Sequence, residues 1–154
     1  MINRRLVRET VLQSIYAHNQ SGDTVQYITD TIIKENVGKE KEARRFAEKL
    51  FFRTLENESL FNQIIESHIQ NWDIQRLAMI DLIVLKMALC EFMFFEEIPT
   101  KVTINEAIEI VKKYSTAKSG KFVNGILDAS LLELNKQGKI NKTGRGLIER
   151  STGK

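Results

Sequence analysis

The segment from Leu77 to Phe95 constrains the fold more than any other part of the sequence, because its apolar residues fall on nearly every side of a helical wheel. A helix of this kind must be covered by other elements. Asp73 is a suitable N-cap ahead of it, and Trp72 is placed to pack against Leu77 at that end. Pro99 prevents the helix from continuing further. We therefore predict a central buried helix.

The rest of the chain also carries apolar residues at helical spacing. One proline and eight glycines among 154 residues are too few for the many turns of a sandwich or barrel. The sequence predicts an all-α fold of about seven helices with short connections, arranged as one compact bundle or as a pair of smaller bundles. Besides the central helix, the predicted helices cover residues 4–19, 24–36, 40–56, 60–69, 103–114 and 119–135.

Local signals predict where several helices begin and end. Asn3 is suited to cap the first helix, and Gly38 has the position of a glycine that ends the second in the left-handed conformation. Thr103 and Glu106 form a capping-box pattern for the helix that follows Pro99. Residues 139–154 have too little apolar content to pack, which predicts a flexible tail.

The net charge of +3 is distributed unevenly along the chain. From residue 136 onward six cations face the single anion Glu149, which gives this segment +5 and leaves −2 on residues 1–135. The basic character therefore comes from the tail, and an argument for a nucleic-acid partner must rest on clustered cations in the folded part.

The sequence favours the cytoplasm and gives no sign of catalysis. Cys90 is the single cysteine, the N-terminus lacks the apolar core of a signal peptide, and no apolar run is long enough to span a membrane. His18 and His68 lie near predicted helix ends, where they suit the helix dipole. No zinc-ligand spacing, phosphate-binding glycine loop or nucleophile motif occurs. We predict a protein that is not an enzyme and has no metal or cofactor.

The first predicted helix opens with an unusual group of cations. Arg4, Arg5 and Arg8 span only about 100° of the helical wheel, so they point to one side. Three cations at a helix N-terminus oppose its dipole, each by about 0.3–1 kcal/mol when exposed. They form either a solvated face or an anion site in which guanidinium and backbone N–H groups receive phosphate.

The start of the last helix, "KSGKFVNGILD" at 118–128, poses a similar question. Phe122 lies about 80–100° from the centre of the apolar stripe and on the same side as Lys118. It is either an edge-of-core residue or a stacking platform for unpaired bases, with neighbouring cations on the RNA backbone.

Four sequence blocks resemble the NusB family of bacterial transcription antitermination factors. In the family's order they are "NRRLVRETVLQSIYA" at 3–17, "RLAMIDLIVLKMALCE" at 76–91, "IPTKVTINEAIEIVKKYS" at 98–115 and "KFVNGILD" at 121–128. The resemblance implies two packed helical bundles, which we place within residues 1–137. The basic flexible tail predicted for residues 138–154 is not part of the family's common pattern. It also implies binding of single-stranded boxA RNA from ribosomal RNA operon transcripts, together with the ribosomal protein NusE, in an antitermination complex with RNA polymerase.

The resemblance places the family's functional positions on particular residues here. Asp81 corresponds to a usually acidic position facing NusE, and Tyr16 to a tyrosine with a structural or RNA-proximal role. The implied RNA contacts are Arg4, Arg5, Arg8, Lys118, Ser119, Lys121 and Phe122. Lys118 replaces a residue that is frequently acidic in the family, which should strengthen attraction to phosphate.

Several alternatives stay open at the level of sequence. The chain could be a helical protein-interaction scaffold without independent RNA binding, and the surface intended for NusE could instead pair with a second copy of the chain. A related module is fused to some ribosomal RNA methyltransferases, but the sequence given ends at Lys154 without a catalytic domain. The basic tail is either an auxiliary RNA-binding arm or an extension without a function of its own.

Overall fold

The computed structural model describes residues 3–69 and 77–148. Within these ranges the regular elements are helices and none is a strand, which confirms the all-α class and the number of seven helices. None of the described helices is both long and apolar enough to cross a membrane. The chain divides into two compact units, Met1–Glu56 and Asn57–Lys154.

The first unit contains three helices. They are α1, Arg4–Ser21; α2, which runs through the consecutive segments Val25–Ile28, Thr29–Ile33 and Lys34–Val37; and α3, Lys41–Glu56. The middle segment of α2 is a π-helical turn. As predicted, Asn3 caps α1, its side chain accepting a hydrogen bond from the N–H of Leu6 at 3.1 Å. The three helices share a buried core formed by Val7, Val11, Leu12, Ile15, Ile28, Ile33, Val37, Phe46, Leu50 and Phe51.

The prediction of a left-handed glycine at residue 38 is wrong. Gly38 has φ −67°, and its N–H donates to the carbonyl of Lys34, so it continues the right-handed turn of α2. The next helix begins only three residues later, at Lys41, and a right-handed turn leads directly into it. The left-handed glycine of this unit is Gly22, which ends α1 at φ 73°.

The second unit is built around the predicted central helix. Its helices are α4, Glu58–Glu66; α5, Met79–Phe94; α6, Thr100–Tyr114; and α7, Ala117–Lys136. Residues 83–92 of α5 are all buried, which confirms a helix covered around its circumference. The proposed N-cap Asp73 and its neighbour Trp72 lie outside the described residues.

Polar side chains tie α5 to each helix that packs against it. Lys86 donates to Glu58 of α4 at 2.6 Å, and Glu91 accepts from Thr103 of α6 at 2.7 Å. Asp81 accepts from Ser119 of α7, also at 2.7 Å. Because Asp81, Lys86 and Glu91 are themselves buried, each pairing fixes the position of one neighbouring helix along α5.

The capping-box prediction at Thr103 is also wrong. Pro99 has an extended conformation and occupies the N-cap position, so α6 begins at Thr100. Proline is well suited to the start of a helix because it has no N–H to leave unpaired. Thr103 is therefore inside α6, where its hydroxyl donates to Glu91.

Residues 139–148 are the described part of the basic C-terminal segment, and they contact the end of α5. Lys142 is only 8% exposed, and its ammonium donates to the carbonyls of Glu91 at 3.0 Å and Phe95 at 2.7 Å. Thr143 donates its N–H to the carbonyl of Glu96, against which Gly146 also packs without room for a Cβ atom. This segment, which we call the C-terminal strap, covers the end of α5.

Candidate nucleic-acid interface

The arginines at the start of α1 are organised by one aromatic ring from α3. The guanidinium carbon of Arg4 lies 4.9 Å from the centroid of Phe46, and that of Arg8 lies 5.5 Å from it. Residues four apart share a helix face, which is why both side chains reach the same ring. Arg5, about 100° around the helix, is exposed.

The three arginines therefore differ in what they can contact. Arg8 is only 4% exposed, so its guanidinium is part of the packing between α1 and α3, whereas Arg4 is half-buried and Arg5 is at the surface. A cation over an aromatic face contributes about 0.5–2 kcal/mol, depending on exposure. The first turn of α1 has no acidic residue that could offset the unfavourable interaction of these cations with the helix dipole. The contacts with Phe46 are of sufficient size to offset it.

Tyr16 lies further along α1 and is 42% exposed. Its position leaves the ring accessible to a ligand or partner. Of the two roles that the resemblance allowed, structural or RNA-proximal, exposure is compatible with the second.

The start of α7 is held by a group of hydroxyls. Thr116 is the N-cap, and its Oγ1 accepts from the N–H of Ser119 at 3.1 Å. The Ser119 hydroxyl also lies 3.0 Å from that of Ser115 and 3.2 Å from that of Thr116. Ser119 is buried at the centre of this group, so it is not presented to a ligand in this structure.

The residues around Ser119 alternate between the interior and the surface. Gly120 and Val123 are buried, Lys118 and Lys121 are exposed, and Phe122 is half-buried. A Cβ atom added to Gly120 would lie 3.2 Å from the side chain of Lys112, because α6 and α7 approach closely there. Phe122 thus lies at the border of the core, beside two solvated cations, which is the arrangement that a stacking ring requires.

Asp81 lies in the first turn of α5 and is 6% exposed. Its Oδ2 accepts the hydrogen bond from Ser119, and its Oδ1 has no hydrogen-bond partner in the part of the chain that the structure describes. The observed contact of Asp81 is therefore intramolecular. A direct contact with a partner protein stays a prediction.

The structure brings together part of the predicted set. Lys118, Lys121 and Phe122 share the exposed side of one turn of α7, and Arg4 and Arg5 mark the start of α1. The two groups belong to different units, so their convergence on one RNA ligand stays a prediction. Within the described residues, no group of three or more His, Cys, Asp or Glu side chains could hold a metal ion.

Phe46 holds the arginines of α1 and Thr116 caps α7, and the sequence did not single out either residue for these roles. Phe46 belongs to the apolar stripe of α3, and nothing in that pattern reveals that two guanidinium groups lie over its ring. Thr116 did leave a signal, since a threonine directly before a helical segment is a common N-cap. The pairing of Ser119 with Asp81 joins residues 38 positions apart, which no local pattern predicts.

Comparison with known proteins identifies the family. The model of the NusB family matches residues 5–131. The transcription antitermination protein NusB of Salinibacter ruber (strain DSM 13855 / M31) is 45% identical over 152 residues, which make up 99% of this chain and 95% of that protein. The chain belongs to the NusB family. The resemblance seen in the four sequence blocks is thus confirmed.

Solved structures of NusB proteins have the same fold. NusB of T. maritima is 36% identical, with a TM-score of 0.79 over 86% of this chain and 92% of that one. A structure of the antitermination factors NusB and NusE in complex with dsRNA contains a chain that is 27% identical, with a TM-score of 0.76 over 84% of this chain and 96% of that one. A member of this fold has therefore been observed with RNA and a protein partner.

Proposed function

We propose that this protein is a non-catalytic transcription antitermination factor that binds boxA RNA of ribosomal RNA operon transcripts together with NusE. The observation that carries the proposal is the exposed turn of α7, which combines the exposed Lys118 and Lys121 with the half-buried ring of Phe122. The similarity to NusB chains, one of them solved with NusE and dsRNA, supports it.

In this proposal the exposed turn binds an unpaired segment of RNA. The ring of Phe122 stacks on a base, which contributes about 1–3 kcal/mol and depends little on which base it is. The two lysines neutralise phosphates on either side, so binding weakens as the salt concentration rises. Arg4 and Arg5 of the first unit provide further contacts to phosphate, with Arg4 held in place by Phe46.

The protein acts as one subunit of a larger assembly. NusE provides further contacts, and the pair joins RNA polymerase in the cytoplasm while the transcript is being made. In the absence of NusE, the surface intended for it could pair two copies of the chain, which sedimentation would detect.

The decisive experiment is a titration of labelled single-stranded boxA RNA, followed by fluorescence anisotropy with and without NusE. Phe122→Ala should weaken binding roughly fivefold to hundredfold, in line with the loss of one stacked base. Leu132→Ala is a matched control, because Leu132 lies on the same helix, is 60% exposed and is far along α7 from the proposed contact. It should bind RNA as the unmodified protein does.

Each outcome has a clear meaning. Thermal unfolding of both variants separates a loss of RNA contact from a loss of fold. Unchanged affinity in Phe122→Ala would remove the stacking role, and no RNA binding by the unmodified protein, even with NusE, would overturn the proposed function. Binding that occurs only with NusE would assign the RNA site to the complex. Duplex RNA of the same sequence tests whether the unpaired form is preferred.

A further inference from the structure

The hydrogen bond between Ser119 and Asp81 has a direction that can be deduced. An ionised carboxylate can only accept, so the single hydroxyl hydrogen of Ser119 goes to Asp81. The hydroxyls of Ser115 and Thr116, both within hydrogen-bond distance of Ser119, must then donate to its lone pairs. The carboxylate on α5 therefore orients every hydroxyl around the first turn of α7.

The burial of Asp81 is difficult to explain by stability alone. Its Oδ1 is a buried carboxylate oxygen without a hydrogen-bond partner among the described residues, and an unsatisfied buried charge is costly. An asparagine of the same shape would carry no charge into the interior. The carboxylate does offer a strong acceptor, which is what holds the Ser119 hydroxyl at 2.7 Å.

We propose that Asp81 is a positioning residue for the RNA-binding turn of α7. Through Ser119 it fixes the helix start from which Lys118, Lys121 and Phe122 project, although it does not touch the RNA itself. This inference rests on the proposed function, and it gives Asp81 a different role from the direct partner contact that the family resemblance implied.

In Asp81→Asn, a positioning role and a purely electrostatic role predict changes of RNA affinity in opposite directions. Removing a negative charge near a site for phosphates would, on charge alone, strengthen RNA binding. Positioning predicts the opposite, because the amide is a weaker acceptor and can reverse the direction of the hydroxyl chain. We expect single-stranded boxA RNA to bind roughly fivefold to tenfold more weakly, with an unchanged salt slope, since no phosphate contact is lost.

Glu91→Gln is the matched control. Glu91 is a second buried carboxylate of α5, and it accepts from the Thr103 hydroxyl of α6 at the same distance, 2.7 Å. Its replacement should lower the melting temperature about as much as Asp81→Asn does, with RNA affinity within about twofold of the unmodified protein. Equal losses of RNA affinity in both variants would reduce Asp81 to a general structural role and overturn the proposal.

Ser119→Ala provides a second variant and a test of coupling. If Asp81 acts through Ser119, the double variant should bind RNA no more weakly than either single variant. Additive losses would mean that the two residues act separately, contrary to the proposal. If Asp81→Asn does not fold, the RNA affinity of Ser119→Ala alone tests whether the contact between Ser119 and Asp81 positions the RNA-binding turn.

Hydrogen exchange tests the positioning role without RNA. The amides of residues 117–122 should exchange faster in Asp81→Asn and in Ser119→Ala than in the unmodified protein, and should be unaffected by Glu91→Gln. Unchanged exchange in the first two variants would refute the proposal. If the unmodified protein bound no RNA at all, the proposed function would fail, while faster exchange would still establish that Asp81 orders this turn.

Discussion

The start of α1 and the start of α7 both carry cations at a helix N-terminus, but they hold them in different ways. At α1 the guanidinium groups of Arg4 and Arg8 lie on the ring of Phe46, so the charged groups themselves are fixed. At α7 the hydroxyls and Asp81 fix the backbone, and Lys118 and Lys121 extend into solvent. Fixed arginines suit planar, directional contacts, whereas mobile lysines act as adaptable point charges.

The largest expected effect on RNA binding within this comparison comes from the lysines. The double variant Lys118→Gln/Lys121→Gln should lower the slope of log affinity against log salt by about 1.4, because each lost phosphate contact on single-stranded RNA removes about 0.7. At physiological salt this corresponds to roughly a tenfold loss of affinity. The measurement is a series of anisotropy titrations at increasing salt.

Arg8→Gln is the counterpart at α1. Because Arg8 is buried against Phe46, its replacement should leave the salt slope within about 0.3 of the unmodified value while lowering the melting temperature. A fall of about 0.7 would show that Arg8 reaches RNA in the bound state, and the distinction between fixed and mobile cations would then fail for this residue.

An intermediate effect is expected from Phe46→Leu, which keeps an apolar side chain of similar volume but removes the aromatic face. The loss of two cation–π contacts should reduce the free energy of unfolding by about 1–2 kcal/mol. RNA binding should weaken by about threefold, because Arg4 is no longer held above a ring. Chemical denaturation and RNA titration measure the two effects.

Phe52→Leu, on the same helix, controls for the general cost of losing an aromatic ring. An RNA affinity that falls equally in both variants would contradict a specific role for Phe46.

Features of the fold and of the candidate site could be predicted from the sequence where they depend on residues close to one another along the chain. The central helix α5 was predictable because its signal, apolar residues on all sides, is local. The position of Phe122 at the border of the core, on the same side as Lys118, followed from helical phase. The burial of Arg8 did not follow from helical phase, because phase alone does not reveal that Phe46 of another helix covers it, and its contact with RNA stays a prediction.

Two predictions about helix ends were wrong because neighbouring residues overrode the local rule. Thr103 and Gly38 fit local rules for helix ends, but Pro99 already begins α6, and the short connection to α3 favours a right-handed turn at Gly38. The low apolar content of residues 139–154 gave no indication that Lys142 packs against the end of α5. A lysine can be buried when its methylenes pack and carbonyl oxygens receive its ammonium, and both partners lie far away in sequence.

The smallest expected effect on RNA binding comes from Lys142→Met. This change keeps the length of the side chain but leaves the carbonyls of Glu91 and Phe95 without the ammonium, and it should lower the free energy of unfolding by about 1–3 kcal/mol. RNA affinity should stay within about twofold of the unmodified value. A larger loss of affinity would favour the alternative that the basic C-terminal segment is an auxiliary RNA-binding arm.

The C-terminal strap also sets an order of events during synthesis. The unit Met1–Glu56 can form its own core as soon as it has emerged, since domains generally fold in the order in which they are made. The two hydrogen bonds from Lys142 to the end of α5 must wait, because Lys142 lies 51 residues beyond Glu91 and 47 beyond Phe95. The turn of α7 that carries the proposed RNA contacts is thus translated before these two bonds can form. A chain that stopped before Lys142 would lack both of them permanently.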